Sequence, residues 1–285
     1  MNLSLKKLRK EVGWIRLQFK ELPFKPLEEF RDQGKYVEIT SNSTIIPLDC
    51  YLTWEENSFG KNHRKELKNF ISLNSDIRFF FFDAEARDDY MNKNWGGHEI
   101  YKVYNLANIP IIKADIFRYC ILFDRGGFYF DINKKYPVAL KDLISEESDF
   151  LFFYDSDYVN LMSDLPPSIF FEKMANPFIN IFNGFFGVKK NHLILKEMIG
   201  YITKTYPLLR GKTFENPKSA VSVFTGPWAF TKIIFEHYAH NHDKARFSFA
   251  PLESRNPSQW YMKGSEVRFK QSESYAALQN KKILN

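Results

Sequence analysis

From Lys113 to Asn133 the chain reads KADIFRYCILFDRGGFYFDIN, and its apolar positions change period partway. Ile116, Phe117, Cys120, Ile121 and Phe123 recur at three- and four-residue spacing, which predicts a helix with one face toward a core. Gly126-Gly127 breaks that pattern, and the aromatic run beyond it alternates like a strand ending in Asp131-Ile132-Asn133. Asp115 and Arg118, three apart, share a helix face. Along the strand, Asp131 and Asn133 point the same way. Helix, glycine turn and strand therefore deliver two polar pairs to the strand's end.

The same patterning places the other elements. Residues 1–36 contain a basic amphipathic helix, LKKLRKEVGWIRLQFKEL, broken around Pro23 and Pro26. Its apolar row is Leu5, Leu8, Val12, Ile15 and Phe19. Packing of that row on the domain is the favoured expectation, because Glu11 and Glu21 dilute the basic face; contact with an anionic membrane is the other. Ile45 to Trp54 predicts a first core strand and its loop. Residues 62–75 predict a helix, and residues 76–82 a second strand with Asp83 capping the helix after it. The acids Asp83, Glu85, Asp88 and Asp89 fit a solvated helix start better than a metal cluster. Further strands are expected at 149–154 and 178–188, the latter holding Asn183-Gly184, and a helix from Trp228 to His237. Past Pro251 the chain is loop-rich.

Composition bounds the function. The chain has 285 residues, enough for one large or two small domains, and at 44% hydrophobic and 26% charged it has globular composition with a substantial core. Its 29 Phe and 15 Tyr point to a buried sheet and leave rings to spare for a site that stacks a base or a sugar. A net charge of +6 admits an anionic partner, yet no nucleic-acid module appears, so nucleic acid is not expected. Two cysteines, Cys50 and Cys120, are too few for a disulfide framework and fit a reducing cytoplasm. No apolar run is long enough to span a bilayer, and the first residues lack a secretory signal pattern. His98 stands alone, and His237, His240, His242 and Asp243 have spacings that fit exposed side chains better than zinc ligands. A nicotinamide-binding G-x-G-x-x-G after the first strand is absent.

The order Ala114-Asp115, Arg118, Gly126-Gly127, Tyr129, Asp131, Asn133 resembles the core of the DxD glycosyltransferases with a GT-A fold. The similarity is to the Och1-like mannosyltransferases and capsule or lipopolysaccharide sugar transferases (glycosyltransferase family 32), and more distantly to the clostridial glucosylating toxins. It covers about residues 40–235. Asn133 stands where that family has its second acid. The literal Asp155-Ser156-Asp157 is a rival metal pair, but it lacks the upstream helix and glycine turn. Thr225-Gly226-Pro227 matches the family's Thr-Gly-Pro turn. The C-terminal lid is altered, with Leu278-Gln279-Asn280 in place of its histidines after Ser274-Tyr275-Ala276-Ala277.

The resemblance implies a GT-A (Rossmann-like) α/β fold: a mixed, mainly parallel sheet flanked by helices, residues 37–285, behind the N-terminal helical extension 1–36. It implies a retaining hexosyltransferase using a UDP- or GDP-sugar, with a glycan or lipid-linked glycan as acceptor, in surface polysaccharide or lipopolysaccharide synthesis. The place expected is the cytoplasm or the inner face of the membrane. Asp115, Arg118 and Asp131 are the expected catalytic residues. Trp54 would stack the base, Tyr129 and Asn183 would line the donor pocket, and Asp131 with Asn133 would hold Mn2+ or Mg2+ through hard oxygens. Thr225 would shape the site loop or cap the next helix. The alternative is a catalytically weak or inactive sugar-nucleotide-binding relative, because Asn133 brings one negative charge fewer.

Overall fold

A computed structural model describes residues 2–30, 45–155, 180–241, 247–252, 260–269 and 278–285. The strands described are β1 (Asp49–Thr53), β2 (Arg78–Phe82), β3 (Gly127–Phe130), β4 (Phe150–Asp155), β5 (Asn180–Ile181), β6 (Phe185–Val188) and β7 (Phe247–Leu252). They form one 7-stranded sheet in the order β2-β1-β3-β6-β4-β5, with β7 on β4. β2, β1 and β3 run parallel, as do β4 and β7, whereas β6 and β5 run against them. The sheet is thus mixed with most strands in one direction, as the resemblance implies.

Both faces of the sheet are buried, which explains the phenylalanine excess. Tyr51, Tyr129, Phe150, Phe152 and Phe186 point into one core, and Cys50, Leu52, Phe128, Phe130, Leu151, Phe153 and Phe185 into the other. This is period-two alternation with apolar residues on both sides, expected where helices cover both faces. The first core is covered by α3 (Ala84–Trp95), α4 (Glu99–Leu106), α5 (Pro110–Arg125), α6 (Leu193–Leu209), α7 (Pro217–Phe224) and α8 (Pro227–Asn241). The second takes α2 (Lys61–Leu73) and Trp260. Cys50 and Cys120 are buried free thiols.

The central segment forms α5 and β3, but the strand stops at Phe130. Asp131 to Asn133 lie in a turn, with the Asp131 amide donating to Gly184 O at 2.6 Å and the Lys134 amide to Asp131 O at 2.8 Å. Asp131 and Asn133 are therefore aimed by a turn rather than by strand alternation. Gly126 and Gly127 have φ of 69° and 96°. A Cβ on Gly126 would lie 2.6 Å from the Lys190 amide, and one on Gly127 2.5 Å from Asp49 O. Only glycine fits at positive φ with the backbone this close to Lys190 and to β1.

Other expectations also shift. Asp83 caps α3, accepting from the Ala86 amide at 2.9 Å. His98 caps α4 in the same manner, its Nδ1 accepting from the Ile100 amide at 3.0 Å. The strand expected over 178–188 is split into β5 and β6, so Asn183-Gly184 falls in the connection. His237 is buried against Glu197 at 3.1 Å and not exposed; the side chain of His240, and His242 and Asp243 altogether, lie outside the described residues, as does Ser274 to Ala277. No group of three or more His, Cys, Asp or Glu able to hold a metal occurs among the described residues.

The N-terminal helix, α1 (Asn2–Glu21), packs on α2 and on α9 (Ser265–Phe269). Its last residue, Glu21, is buried and takes the first amides of α2, Asn62 N at 3.0 Å and His63 N at 3.3 Å. A carboxylate at a helix start satisfies orphan donors and the dipole together. Of the expected apolar row, Val12, Ile15 and Phe19 do not pack, being 42%, 46% and 69% exposed, and the side chains of Leu5 and Leu8 lie outside the described residues. Trp14, Leu17 and Gln18, less exposed, share the side of Glu21 that meets the domain.

Candidate active site

A cleft of about 370 Å³ opens beyond the C-terminal ends of β1 and β3. It lies where the chain order reverses between neighbouring parallel strands, the position where open α/β sheets take ligands. Trp54 enters from the end of β1, Asp115 and Arg118 from α5, Tyr129 from β3, Asp131 and Asn133 from the turn after it, and Asn183 from the β5–β6 connection. All seven expected site residues thus line one cavity. Of the rival pair, the Asp155 side chain and all of Asp157 lie outside the described residues.

Arg118 sits at the centre of the floor. Its Nη2 meets Asp115 Oδ1 at 2.9 Å and Asp131 Oδ1 at 3.1 Å, and its Nη1 donates to Asn183 O at 2.5 Å. Its guanidinium lies 4.5 Å from the Tyr129 ring centroid. Burial works against the Arg118 charge, but Tyr129, Asp115 and Asp131 together outweigh it and raise its pKa. The floor is closed by neutral donors. Thr225 Oγ1 donates to Asp115 Oδ2 at 2.7 Å, and Asn183 Nδ2 donates to Asp115 Oδ1 at 3.3 Å and Tyr119 Oη at 3.0 Å. The Tyr119 hydroxyl donates to Thr225 O at 2.7 Å. Burial pushes the Asp115 carboxyl up to about 6, against the pull of Arg118 and these donors. Burial likewise raises the Tyr129 and Tyr119 phenols.

The rim is more open. The Asp131 side chain is 30% exposed. Asn133 Oδ1 is buried without a hydrogen-bond partner. A cation is one group that such an orphaned oxygen beside a carboxylate can accept, so this corner fits a hard divalent ion with two protein oxygens. Nearby, the Lys134 ammonium is ringed by Phe182, Trp260 and Tyr261, at 5.0, 4.5 and 3.1 Å from their centroids. Exposed Lys218, at the start of α7, also lines the cleft.

Several of these residues escape sequence reasoning. Lys134 directly follows the motif, but its aromatic ring partners are more than 45 residues away. Thr225 shapes the site through its hydroxyl on Asp115, and not by capping α8. Tyr119 lies inside a helix whose neighbours all read as core, so nothing in the pattern marks its hydroxyl.

The chain is similar to known glycosyltransferases. A family profile described as "Glycosyltransferase sugar-binding region containing DXD motif" matches residues 60–150, which contain both halves of the motif. The initiation-specific alpha-1,6-mannosyltransferase of Candida albicans is 26% identical over 249 residues, 82% of this chain and 64% of its own length. The protein of that name from Schizosaccharomyces pombe is 21% identical, with 75% of this chain and 57% of its own length covered. An uncharacterized glycosyltransferase of Acanthamoeba polyphaga mimivirus is 28% identical, with 69% and 68% covered. The chain therefore spans less than two thirds of the length of the two yeast relatives. A solved structure titled "PaToxG Glycosyltransferase" overlays with a TM-score of 0.47 at 13% identity, covering 84% of this chain and 80% of that one.

Proposed function

We propose, from the match of residues 60–150 to a glycosyltransferase sugar-binding region containing a DXD motif and from the similarity to two yeast mannosyltransferases, that this chain is a glycosyltransferase that moves a hexose from a UDP- or GDP-sugar to a glycan or lipid-linked glycan. The reading includes retention of anomeric configuration. Surface polysaccharide or lipopolysaccharide synthesis is the proposed setting, in the cytoplasm or at the inner face of a membrane. One observation carries the reading: Arg118 bridges Asp115 and Asp131 in a single cleft, joining both halves of the motif at the strand ends.

In this proposal the nucleotide base stacks on Trp54 and the donor sugar lies over the floor. Asp115 Oδ2 has one described hydrogen bond and keeps a lone pair for a sugar hydroxyl. The Asn183 amide orients that carboxylate and lines the pocket beside Tyr129. Arg118 fixes Asp131 and supplies fixed positive potential beneath the departing diphosphate, a preorganised charge that needs no rearrangement as the glycosyl bond breaks. Asp131 and Asn133 would hold Mn2+ or Mg2+, which when bound supplies Lewis-acid neutralisation of the diphosphate. A neutral amide oxygen in the second place makes that hold weaker. The same substitution favours a second reading, a slow or inactive sugar-nucleotide-binding relative.

Hydrolysis of a panel of UDP- and GDP-sugars with and without added Mn2+ tests both. Turnover of one donor supports transfer, with product anomeric configuration read by NMR. Donor binding without turnover selects the second reading, and absence of binding to every donor overturns both.

A further inference from the structure

The exposed row on α1 is a continuous feature of the surface. Val12, Ile15, Phe19 and Leu22 are 42%, 46%, 69% and 48% exposed. Steps of three and four keep Val12, Ile15 and Phe19 on one side of α1, Leu22 follows directly past its last residue, and the same spacing reaches back along the sequence to Leu8 and Leu5. They lie away from the side that docks: Glu21 is buried in its bonds to Asn62 and His63, with Trp14 and Leu17 turned the same way. The helix is therefore anchored by one face while it presents an apolar stripe with the other.

We infer that this stripe is a docking surface for an anionic lipid bilayer, with α1 lying in the plane of the headgroups. Charge selects this occupant. Arg16 and Lys20 are exposed on the shoulder of the stripe, and Lys6, Lys7, Arg9 and Lys10 follow in the preceding turns of the sequence. Of the helix's two acids, Glu21 is turned inward and spent on α2, which leaves Glu11. A stripe this narrow beside a basic shoulder suits insertion between headgroups, where apolar area and attraction to anionic lipid act together. Pairing with a second copy would instead bring two basic shoulders together. No described helix is long and apolar enough to cross a membrane, so a contact of this kind lies on the bilayer. The inference stands on the helix alone and does not depend on what the cleft transfers.

Flotation of the full chain with phosphatidylcholine vesicles, with and without phosphatidylglycerol, tests it. The expected result is flotation with the phosphatidylglycerol vesicles that weakens as salt is raised. Ile15→Glu with Phe19→Glu abolishes it. Arg16→Gln and Lys20→Gln each weaken it about fivefold, the equivalent of about 1 kcal/mol per charge near the surface. All four side chains are exposed, so circular dichroism and nucleotide-sugar binding should match the parent chain and report any folding failure separately. Failure to float, or flotation unchanged by the double substitution, overturns the inference. Loss of a dimer in sedimentation on Ile15→Glu with Phe19→Glu, without vesicle binding by the parent, assigns the face to a second copy and overturns it equally.

Discussion

The floor and the rim of the cleft are built from the two halves of one motif, yet they are bonded in opposite ways. On the floor, the Asp115 oxygens and both Arg118 terminal nitrogens meet partners on α5, the β5–β6 connection and the turn before α8. At the rim, Asp131 is partly open and Asn133 Oδ1 accepts nothing. A network tied to several elements holds a geometry even with Arg118 Nε unpartnered and a lone pair left on Asp115 Oδ2, whereas an open carboxylate beside an orphaned amide oxygen is placed to take a ligand. In the proposed reading the first half of the motif works chiefly as the mount, and the second half as the part that faces the diphosphate and its ion.

The sharpest way to break this contrast is to remove its pivot. Arg118→Ala leaves two carboxylates and the Asn183 carbonyl facing one another in a buried site, and should cost about 3–5 kcal/mol of stability. A urea midpoint near that of the parent would show that the floor does not depend on the guanidinium. Arg118→Lys should recover only part of the loss, because an ammonium cannot bridge three acceptors with a planar fork. The rim should behave the other way round. Asp131→Ala is expected to leave the thermal midpoint close to the parent's while donor hydrolysis falls about a hundredfold or more, about 2.7 kcal/mol in the transition state. If Asp131→Ala stays active and Asp155→Ala does not, the reacting site belongs to the rival pair.

The contrast also marks what sequence could give. Helix, glycine turn and strand follow from residues 113–133 because period and punctuation are local signals, and the glycines are forced by positive φ within that same stretch. The aiming of Asp131 is less legible: its amide still pairs with Gly184 O, more than 50 residues on, while its carbonyl accepts from the Lys134 amide and turns the chain out of β3. Thr225, Tyr119 and the rings around Lys134 are brought in by the sheet order, which no single stretch encodes. On α1 the periodicity correctly gave a helix and an apolar row, but it could not say which side would dock. Glu21, read as dilution of a basic face, is the residue that fixes it.

A smaller effect separates the layers by pH. The Asp115 carboxyl, at about 6 in the folded chain against 3.8 ordinarily, binds a proton between those values that the unfolded chain releases. Its contribution to stability is therefore fully present below pH 3.8 and lost as pH rises through about 6, while its charge, which pairs with Arg118 and in the proposed reading accepts from a sugar hydroxyl, is lost as pH falls through about 6. Donor hydrolysis should show an acid limb near pH 6. Thr225→Val removes a hydrogen bond that favours the ionised form, so the limb should move to higher pH. A limb that stays in place would mean that another group titrates.

The least effect is expected from adding a charge at the rim. Asn133→Asp turns the orphaned amide oxygen into a carboxylate oxygen beside Asp131, and hard cations respond to ligand charge. Mn2+ should bind about tenfold tighter by calorimetry, about 1.4 kcal/mol. Repulsion between the two neighbouring carboxylates works against that gain when no cation is present, so the thermal midpoint should fall slightly without Mn2+ and rise with it. Arg118 already draws on Asp131, which caps how much extra charge the corner can use. The floor is untouched by this change, so the acid limb set by Asp115 should stay where it is. If the limb moves with Asn133→Asp, mount and ligand face are electrostatically one unit, and the division between them fails.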